Sequence, residues 1–209
     1  MGLPPRDAEL VQIVDSALSD AARKAGAWLV CRLGCTQCCI GPFAITPLDA
    51  ARLGAGLADL ESRDPKRAAR VRRRAQDSVE RLSRHFTLEQ LLTDDAAGED
   101  EPCPALDLQT GGCDLYAARP LTCRTFGPPV RFAGEALAVC ELCFEGATDT
   151  QIAGCEVEVD PDNLEGALLA ETPGADTIVA FALAASPESS FPTESATTPP
   201  HHPDPPGSR

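Results

Sequence analysis

The sequence predicts a mostly α-helical fold, a single small domain with an irregular cysteine-rich metal-binding segment and a short β-hairpin. Three observations lead there. Apolar residues recur at three- and four-residue intervals along most of the first 92 residues, the mark of amphipathic helices. Between residues 103 and 143 that periodicity lapses and Cys, Pro and Gly take over, as in a segment whose path is fixed by ligands. The 209 residues are only 4% aromatic, so the core is short of large side chains and needs a further source of cohesion.

From Asp7 to Val30, the residues Leu10, Val14, Leu18, Ala21, Ala25 and Trp28 share one helical face, and residues 1–30 read as an N-terminal helix that runs into the first cysteines. Gly41-Pro42 interrupts the chain. Thr46-Pro47-Leu48-Asp49 then supplies a cap, a first-turn proline and an acid at the positive end of a helix, which extends to Leu57 or Leu60. Asp64-Pro65 repeats that grammar, and Ala68, Val71, Ala75, Val79, Leu82 and Phe86 carry the next helix toward Leu92. Residues 93–101 form an acidic linker. Val130-Arg131-Phe132 and Ala136 to Val139, joined through Gly134-Glu135, predict the hairpin. Cys155 to Val159 alternates like a strand, and Asp160 to Glu171 reads as a last helix. Residues 31–145 thus form the cysteine-cluster domain with helices over about 47–92, and 146–185 a C-terminal extension of it. Residues 186–209 hold seven prolines with many Ser and Thr, the composition of a disordered tail. His201 and His202 within it are read as incidental.

The formal net charge of −14 argues against a surface built to bind phosphate backbones. One stretch is the exception: residues 63–84 carry nine basic side chains against three acidic ones. We read it as a solvated face that pairs with the chain's own acids. It is also the one candidate surface for nucleic acid or for an acidic protein partner. No signal peptide or myristoylation pattern opens the chain, and the longest apolar stretch, Thr177 to Ala185, is far short of the roughly 20 residues that span a bilayer. A cytoplasmic protein without membrane attachment is therefore expected. In that compartment thiols stay reduced, and clustered cysteines are metal ligands or redox groups.

The ten cysteines are clustered. Cys31-Arg-Leu-Gly-Cys35-Thr-Gln-Cys38-Cys39 comes first, with Gly34 allowing a tight turn. A two-residue gap such as Cys35 to Cys38 lets both sulfurs reach one metal. Adjacent Cys38 and Cys39 point in different directions, so either they serve two centres or one is a reserve thiol. Cys103-Pro104, Cys113 and Cys123 follow, then Cys140-Glu-Leu-Cys143. Arg119 and Arg124 flank Cys123, where guanidiniums would offset the negative charge of a thiolate site. Cys155 stands apart and reads as a small buried hydrophobe.

The N-terminal cluster, the Cys103-Pro104 pair, the run Cys113-x-x-Tyr116-x-x-Arg119-Pro120-x-x-Cys123-Arg124-x-Phe126 and the closing Cys140/Cys143 pair resemble the YkgJ-type cysteine-cluster proteins, a family described as chelating zinc or iron and written CxxCxxCC. The resemblance covers roughly residues 28–145. It implies metal ligands drawn from Cys31, Cys35, Cys38, Cys39, Cys103, Cys113, Cys123, Cys140 and Cys143, with Tyr116, Arg119 and Arg124 around them. The chain departs from the shorthand at the first gap, which holds three residues rather than two. The family includes flagellin lysine methylases, so the resemblance also admits an iron–sulfur cluster (4Fe–4S) in place of zinc.

Cys31-x-x-x-Cys35-x-x-Cys38 also has the spacing of the radical S-adenosylmethionine loop. Gln37 stands where those enzymes carry an aromatic residue, and the chain lacks the strand–helix alternation of their barrel. A lone Gly54-Ala-Gly56 follows a helix rather than a strand and fails as a dinucleotide loop. His85, on the arginine-rich helix, has no cysteine partner that would mark a protease. Two functions therefore stand from the sequence: a metal-chelating module without catalysis of its own, or an iron–sulfur-dependent redox or protein-modifying (lysine methylase-like) enzyme or accessory factor.

Overall fold

The computed structural model describes residues 2–32, 34–132 and 134–185; the tail expected over 186–209, with His201 and His202, lies outside them. Its first helix, α1 (Asp7–Ala25), stops short of the predicted Val30. Gly26 adopts φ 52° and donates its N–H to Ala22, a backbone that a glycine accepts without steric cost. Gly26–Trp28 makes one 3-10 turn and Leu29 is extended, which delivers Cys31 outside any helix.

After β1 (Ala44–Ile45), α2 (Pro47–Arg63) and α3 (Pro65–Ser83) begin where the caps predict. Thr46 accepts from the Asp49 N–H at 3.2 Å, and Asp64 both ends α2 and accepts from Arg67 N–H at 3.0 Å. The helix expected to continue to Leu92 is broken. α3 ends at Ser83, and α4 (Leu88–Thr93) starts afresh under a reciprocal cap between Thr87 and Gln90. That local signal outweighs the helical spacing of Leu82 and Phe86.

The cysteine-rich stretch carries β2 (Leu106–Asp107) and β3 (Gly112–Cys113), which pair antiparallel, then α5 (Leu121–Thr125). The hairpin consists of β4 (Val130–Phe132) and β5 (Glu135–Ala136), with Phe132 opposite Glu135. Its return strand therefore starts at Glu135, not Ala136. Next come α6 (Asp149–Cys155), which the sequence reading missed, and β6 (Val157–Val159), parallel to β4. α7 (Leu164–Glu171) begins later than Asp160 because that residue's carboxylate caps it from outside, accepting from the Leu164 and Glu165 N–H groups at 2.8 Å each. β7 (Thr177–Ile178) pairs with β1, and α8 (Val179–Ala184) ends the described chain.

Of four buried apolar clusters among the described residues, two form the larger bodies of the core. Leu53, Leu57, Val71, Ala75, Val179 and Leu183 join α2, α3 and α8, and Leu10, Val14, Val130, Val159 and Leu168 join α1, the β4–β6 sheet and α7. Alanines at 68 and 75, both fully buried, fill little volume, which explains how an aromatic-poor chain still packs. A buried ion network ties the bodies together: Arg52 on α2 donates to Asp7 at 2.6 Å and to Asp49 at 2.5 Å. Asp49 also accepts from the Leu121 N–H at 3.0 Å, fixing the start of the helix that carries Cys123.

Candidate metal centre

All ten cysteines are free thiols. Nine of them fall into two neighbourhoods. The first holds Cys31, Cys35, Cys140 and Cys143. The sulfurs of Cys31 and Cys143 lie 3.8 Å apart, and the charges that act most on Cys31 are those of Cys143, Cys35 and Cys140. Backbone turns build this group: the Cys35 N–H donates to Arg32 O at 2.9 Å, the Cys143 N–H to Cys140 O at 2.8 Å, and the Cys140 N–H to Gly127 O at 3.2 Å. Phe144, at φ 60°, donates its N–H to Trp28 O and stacks on the Trp28 ring. Gly127 (φ 125°) approaches so closely that a Cβ there would sit 3.2 Å from the Cys31 sulfur. Cys140 and Cys143 are buried and Cys31 is exposed. Although Cys31 is exposed as a residue, partial desolvation of its sulfur, then the neighbouring Cys143, pushes its thiol up to about 12.

The second neighbourhood holds Cys38, Cys39, Cys103, Cys113 and Cys123. Cys39 O accepts from the Cys103 N–H at 2.8 Å. The β2–β3 register sets Cys113 opposite Leu106, whose own N–H donates to Cys103 O at 2.9 Å. Cys38, Cys103 and Cys123 border one cavity of about 20 Å³, room for a single small ion or water. From below, α3 clamps the segment. Buried Asp114 accepts from Arg67 and Arg74 at 2.5 Å each, and the Arg74 Nε donates to Pro104 O at 2.8 Å.

Burial drives these thiols apart in acidity. Desolvation pushes Cys103 up to about 11, and Cys113 and Cys123 are also raised, with the charges of other cysteines adding to the effect on Cys123. Cys38 is the exception, held down to about 6, first by the thiol of Cys39 donating to it and further by the charge of Arg119. Cys39 is raised well above the usual thiol range by the same bond. So many half-buried sulfurs ionise together only when a cation sits among them.

Among the described residues, no group of three or more His, Cys, Asp or Glu side chains is placed so as to hold a metal ion. The fit to a metal rests on the donor set and on one orphaned atom. Every donor is a thiol, the ligand type preferred by zinc and by iron–sulfur clusters. Arg119 lies 3.9 Å over the Tyr116 ring, its charge acts on Cys38 and Cys113, and its buried Nε has no hydrogen-bond partner. Tyr116 itself is exposed and serves as the platform for Arg119. Arg124 does something else than expected: it donates to both Asp15 oxygens at 2.7 and 2.8 Å and to the carbonyls of Ala117 and Arg119. It braces the turn before Cys123, and its charge is spent on Asp15.

Cys155 shares a buried apolar cluster with Cys140, Cys143 and Phe144, and its thiol donates to Lys24 O at 3.5 Å. Asp114 and Arg52 escaped the sequence reading, and Asp49 was read only as the acid at the start of its helix. The available signal for Asp114 was a lone acid between Cys113 and Leu115. On the basic stretch 63–84, Arg63, Arg67, Arg72, Arg74, Arg81 and Arg84 pair with the chain's own acids. No helix of the described residues is long and apolar enough to cross a membrane.

Among known proteins, a family model called CxxCxxCC, described as "Putative zinc- or iron-chelating domain", matches residues 30–143. No curated protein and no solved structure matches the chain. The matched segment covers more than half of the sequence, spans both thiol neighbourhoods and leaves Cys155 outside. The chain belongs to the CxxCxxCC family.

Proposed function

We propose that the protein chelates zinc or iron through its cysteine thiolates and acts as a metal-holding module of the reducing cytoplasm. The observation that carries this reading is the gathering of nine thiols, from segments more than a hundred residues apart in sequence, into two neighbourhoods without a disulfide. The ligands are drawn from Cys31, Cys35, Cys38, Cys39, Cys103, Cys113, Cys123, Cys140 and Cys143. A bound cation supplies the positive charge that lets crowded sulfurs ionise, and with it folding free energy. Arg119 orients toward the sulfurs and donates; Asp114 and Asp49 hold the backbone that presents Cys113 and Cys123.

The separation of Cys31 and Cys143, 3.8 Å, favours a single tetrahedral ion. Four sulfurs at about 2.3 Å from zinc stand about 3.8 Å from one another. In a 4Fe–4S cluster each thiolate holds its own iron and the sulfurs are farther apart. The protein-modifying reading opened by the resemblance gains nothing from the family match, which speaks to chelation alone.

Metal analysis and an absorption spectrum of protein purified without oxygen test this. Stoichiometric zinc and no visible colour are expected. Iron with acid-labile sulfide and a broad band near about 400 nm, as thiolate-to-iron charge transfer gives, would replace zinc by the iron–sulfur alternative. Absence of any stoichiometric metal would overturn chelation itself.

A further inference from the structure

We infer that Cys31 and Cys143 form an oxidative modification site: a peroxide joins their two sulfurs in a disulfide, and that bond withdraws both from the chelating set. The second half rests on the chelation reading; the first does not. The sulfurs already touch, 3.8 Å apart, and both residues are free thiols. Their backbones are held beside one another by groups other than sulfur. The Phe144 N–H, one residue past Cys143, donates to Trp28 O, three residues before Cys31, at 3.1 Å. The two rings stack with centroids 6.4 Å apart. The Cys143 N–H closes a turn on Cys140 O at 2.8 Å. On the other side of Cys31, Gly127 leaves the room that a Cβ, 3.2 Å from the sulfur, would take. Local turns therefore pre-set a pair whose members stand 112 positions apart in sequence. Turning the two side chains toward each other brings the sulfurs to the bonded separation of about 2.05 Å.

Exposure divides the work between them. Cys31 is exposed and Cys143 is buried. An open surface pocket is lined by Val30 and Arg32, which flank Cys31, and by Leu142, which precedes Cys143. A small oxidant reaches Cys31 from there. The Cys31 sulfur attacks one oxygen of hydrogen peroxide, the O–O bond breaks, and a sulfenic acid forms as the other oxygen leaves as water. The Cys143 sulfur then attacks the sulfenic sulfur. The S–S bond forms, the S–O bond breaks, and the hydroxyl leaves with the Cys143 proton as a second water. Two thiols and one peroxide thus give one disulfide and two waters; the sulfurs lose two electrons and the peroxide gains them. An excess of small thiol reverses the bond by exchange. Because the thiolate is the nucleophile and Cys31 keeps its proton up to about 12, the pair answers sustained peroxide slowly and ignores a brief pulse.

The test treats the full-length, reduced, metal-free chain with hydrogen peroxide over hours, blocks the remaining thiols with iodoacetamide and maps cross-linked peptides by mass spectrometry. The first link to appear should join Cys31 to Cys143, with two of the ten free thiols lost. Cys143→Ser should leave a sulfenic acid on Cys31 that dimedone traps. A first link between other cysteines, or oxidation of other thiols while this pair stays reduced, overturns the site. The map of the unaltered chain decides even if the variant fails to fold. Zinc uptake is then compared before and after oxidation. The oxidised chain should bind less zinc than the reduced one and recover it on treatment with dithiothreitol; equal uptake overturns the withdrawal of the pair from the chelating set. A reduced chain that binds no zinc or iron would instead bring down the chelation reading and leave the disulfide standing on its peptide map.

Discussion

The two thiol neighbourhoods are built by opposite means. Around Cys31 and Cys143 the structure relies on backbone turns, a close-approaching Gly127 and the stacked Trp28–Phe144 pair. Around Cys103, Cys113 and Cys123 it relies on buried charge: Asp114 under Arg67 and Arg74, and Asp49 holding both Arg52 and the Leu121 N–H. Packed turns near the surface give way locally, whereas a buried ion network ties its segment to the global fold. The first neighbourhood thus depends on what binds it, and the second inherits its shape from the helices.

The largest expected effect breaks that inheritance. Arg52→Ala leaves Asp7 and Asp49 buried without their cation, a change that costs about 3–5 kcal/mol. Urea unfolding should show it; a midpoint near that of the wild type would mean that the helical frame does not rest on this network. Asp114→Asn acts more narrowly. We expect a loss of about 2 kcal/mol, since the hydrogen bonds are charge-assisted and Arg67 and Arg74 keep some contact with water. Urea unfolding should show it, and an unchanged midpoint would mean that the ion pairs of Asp114 with Arg67 and Arg74 do not hold the cysteine-rich segment.

Gly127→Ala strikes the other side. A side chain at φ 125° with its Cβ 3.2 Å from the Cys31 sulfur should cost about 1–3 kcal/mol. Thermal melts should show the loss, and an unchanged melting temperature would mean that the close approach to Cys31 is not tight. A smaller effect concerns Glu165 at the start of α7, which is raised to about 7 by burial, with the charge of Asp49 adding to it. Its folded form holds a proton that the unfolded chain, near 4.5, gives up. The stability it contributes is complete below the unfolded value and is lost as pH rises through about 7. Melting temperatures at pH 5 and pH 8 should therefore differ more in the wild type than in Glu165→Gln; equal differences would show that Glu165 titrates normally. Cys155→Ala, which trims the apolar cluster around Cys140 and Cys143 without removing a proposed ligand, should keep full metal content and cost about 1 kcal/mol, as metal analysis and thermal melts would show.

The parts of the fold visible in the sequence are those that local chemistry decides. Thr46-Pro47 and Asp64-Pro65 start their helices where the caps say, because a cap acts within four residues. The break after Ser83 was overlooked although Thr87 and Gln90 spell out the same reciprocal cap that opens α6 at Thr148 and Gln151. Both helices are short, and neither has enough turns for periodicity to speak. The β1–β7 pair could not be read at all: each strand has two residues and its partner lies more than a hundred positions away. With the cysteines, residue type and clustering pointed to metal, but the Cys35–Cys38 gap gave no sign that the turn at Gln37 separates the pair. Asp114 lay hidden for another reason: its role depends on two arginines of α3 packed beneath it, which no local pattern announces.

The pairing of β1 with β7 and the packing of α8 on α3 also set a timetable. As the chain is synthesised, all nine clustered thiols are made before the segment that closes the core over α3. At about 5–20 residues per second, the stretch from Cys143 to Leu183 takes on the order of 2–8 seconds to emerge. During that interval Ala44 and Ile45 have no strand to pair with, and α2 and α3 offer an open apolar flank. In that window the nascent thiols and the uncovered flank of α2 and α3 are most open to oxidants and to aggregation.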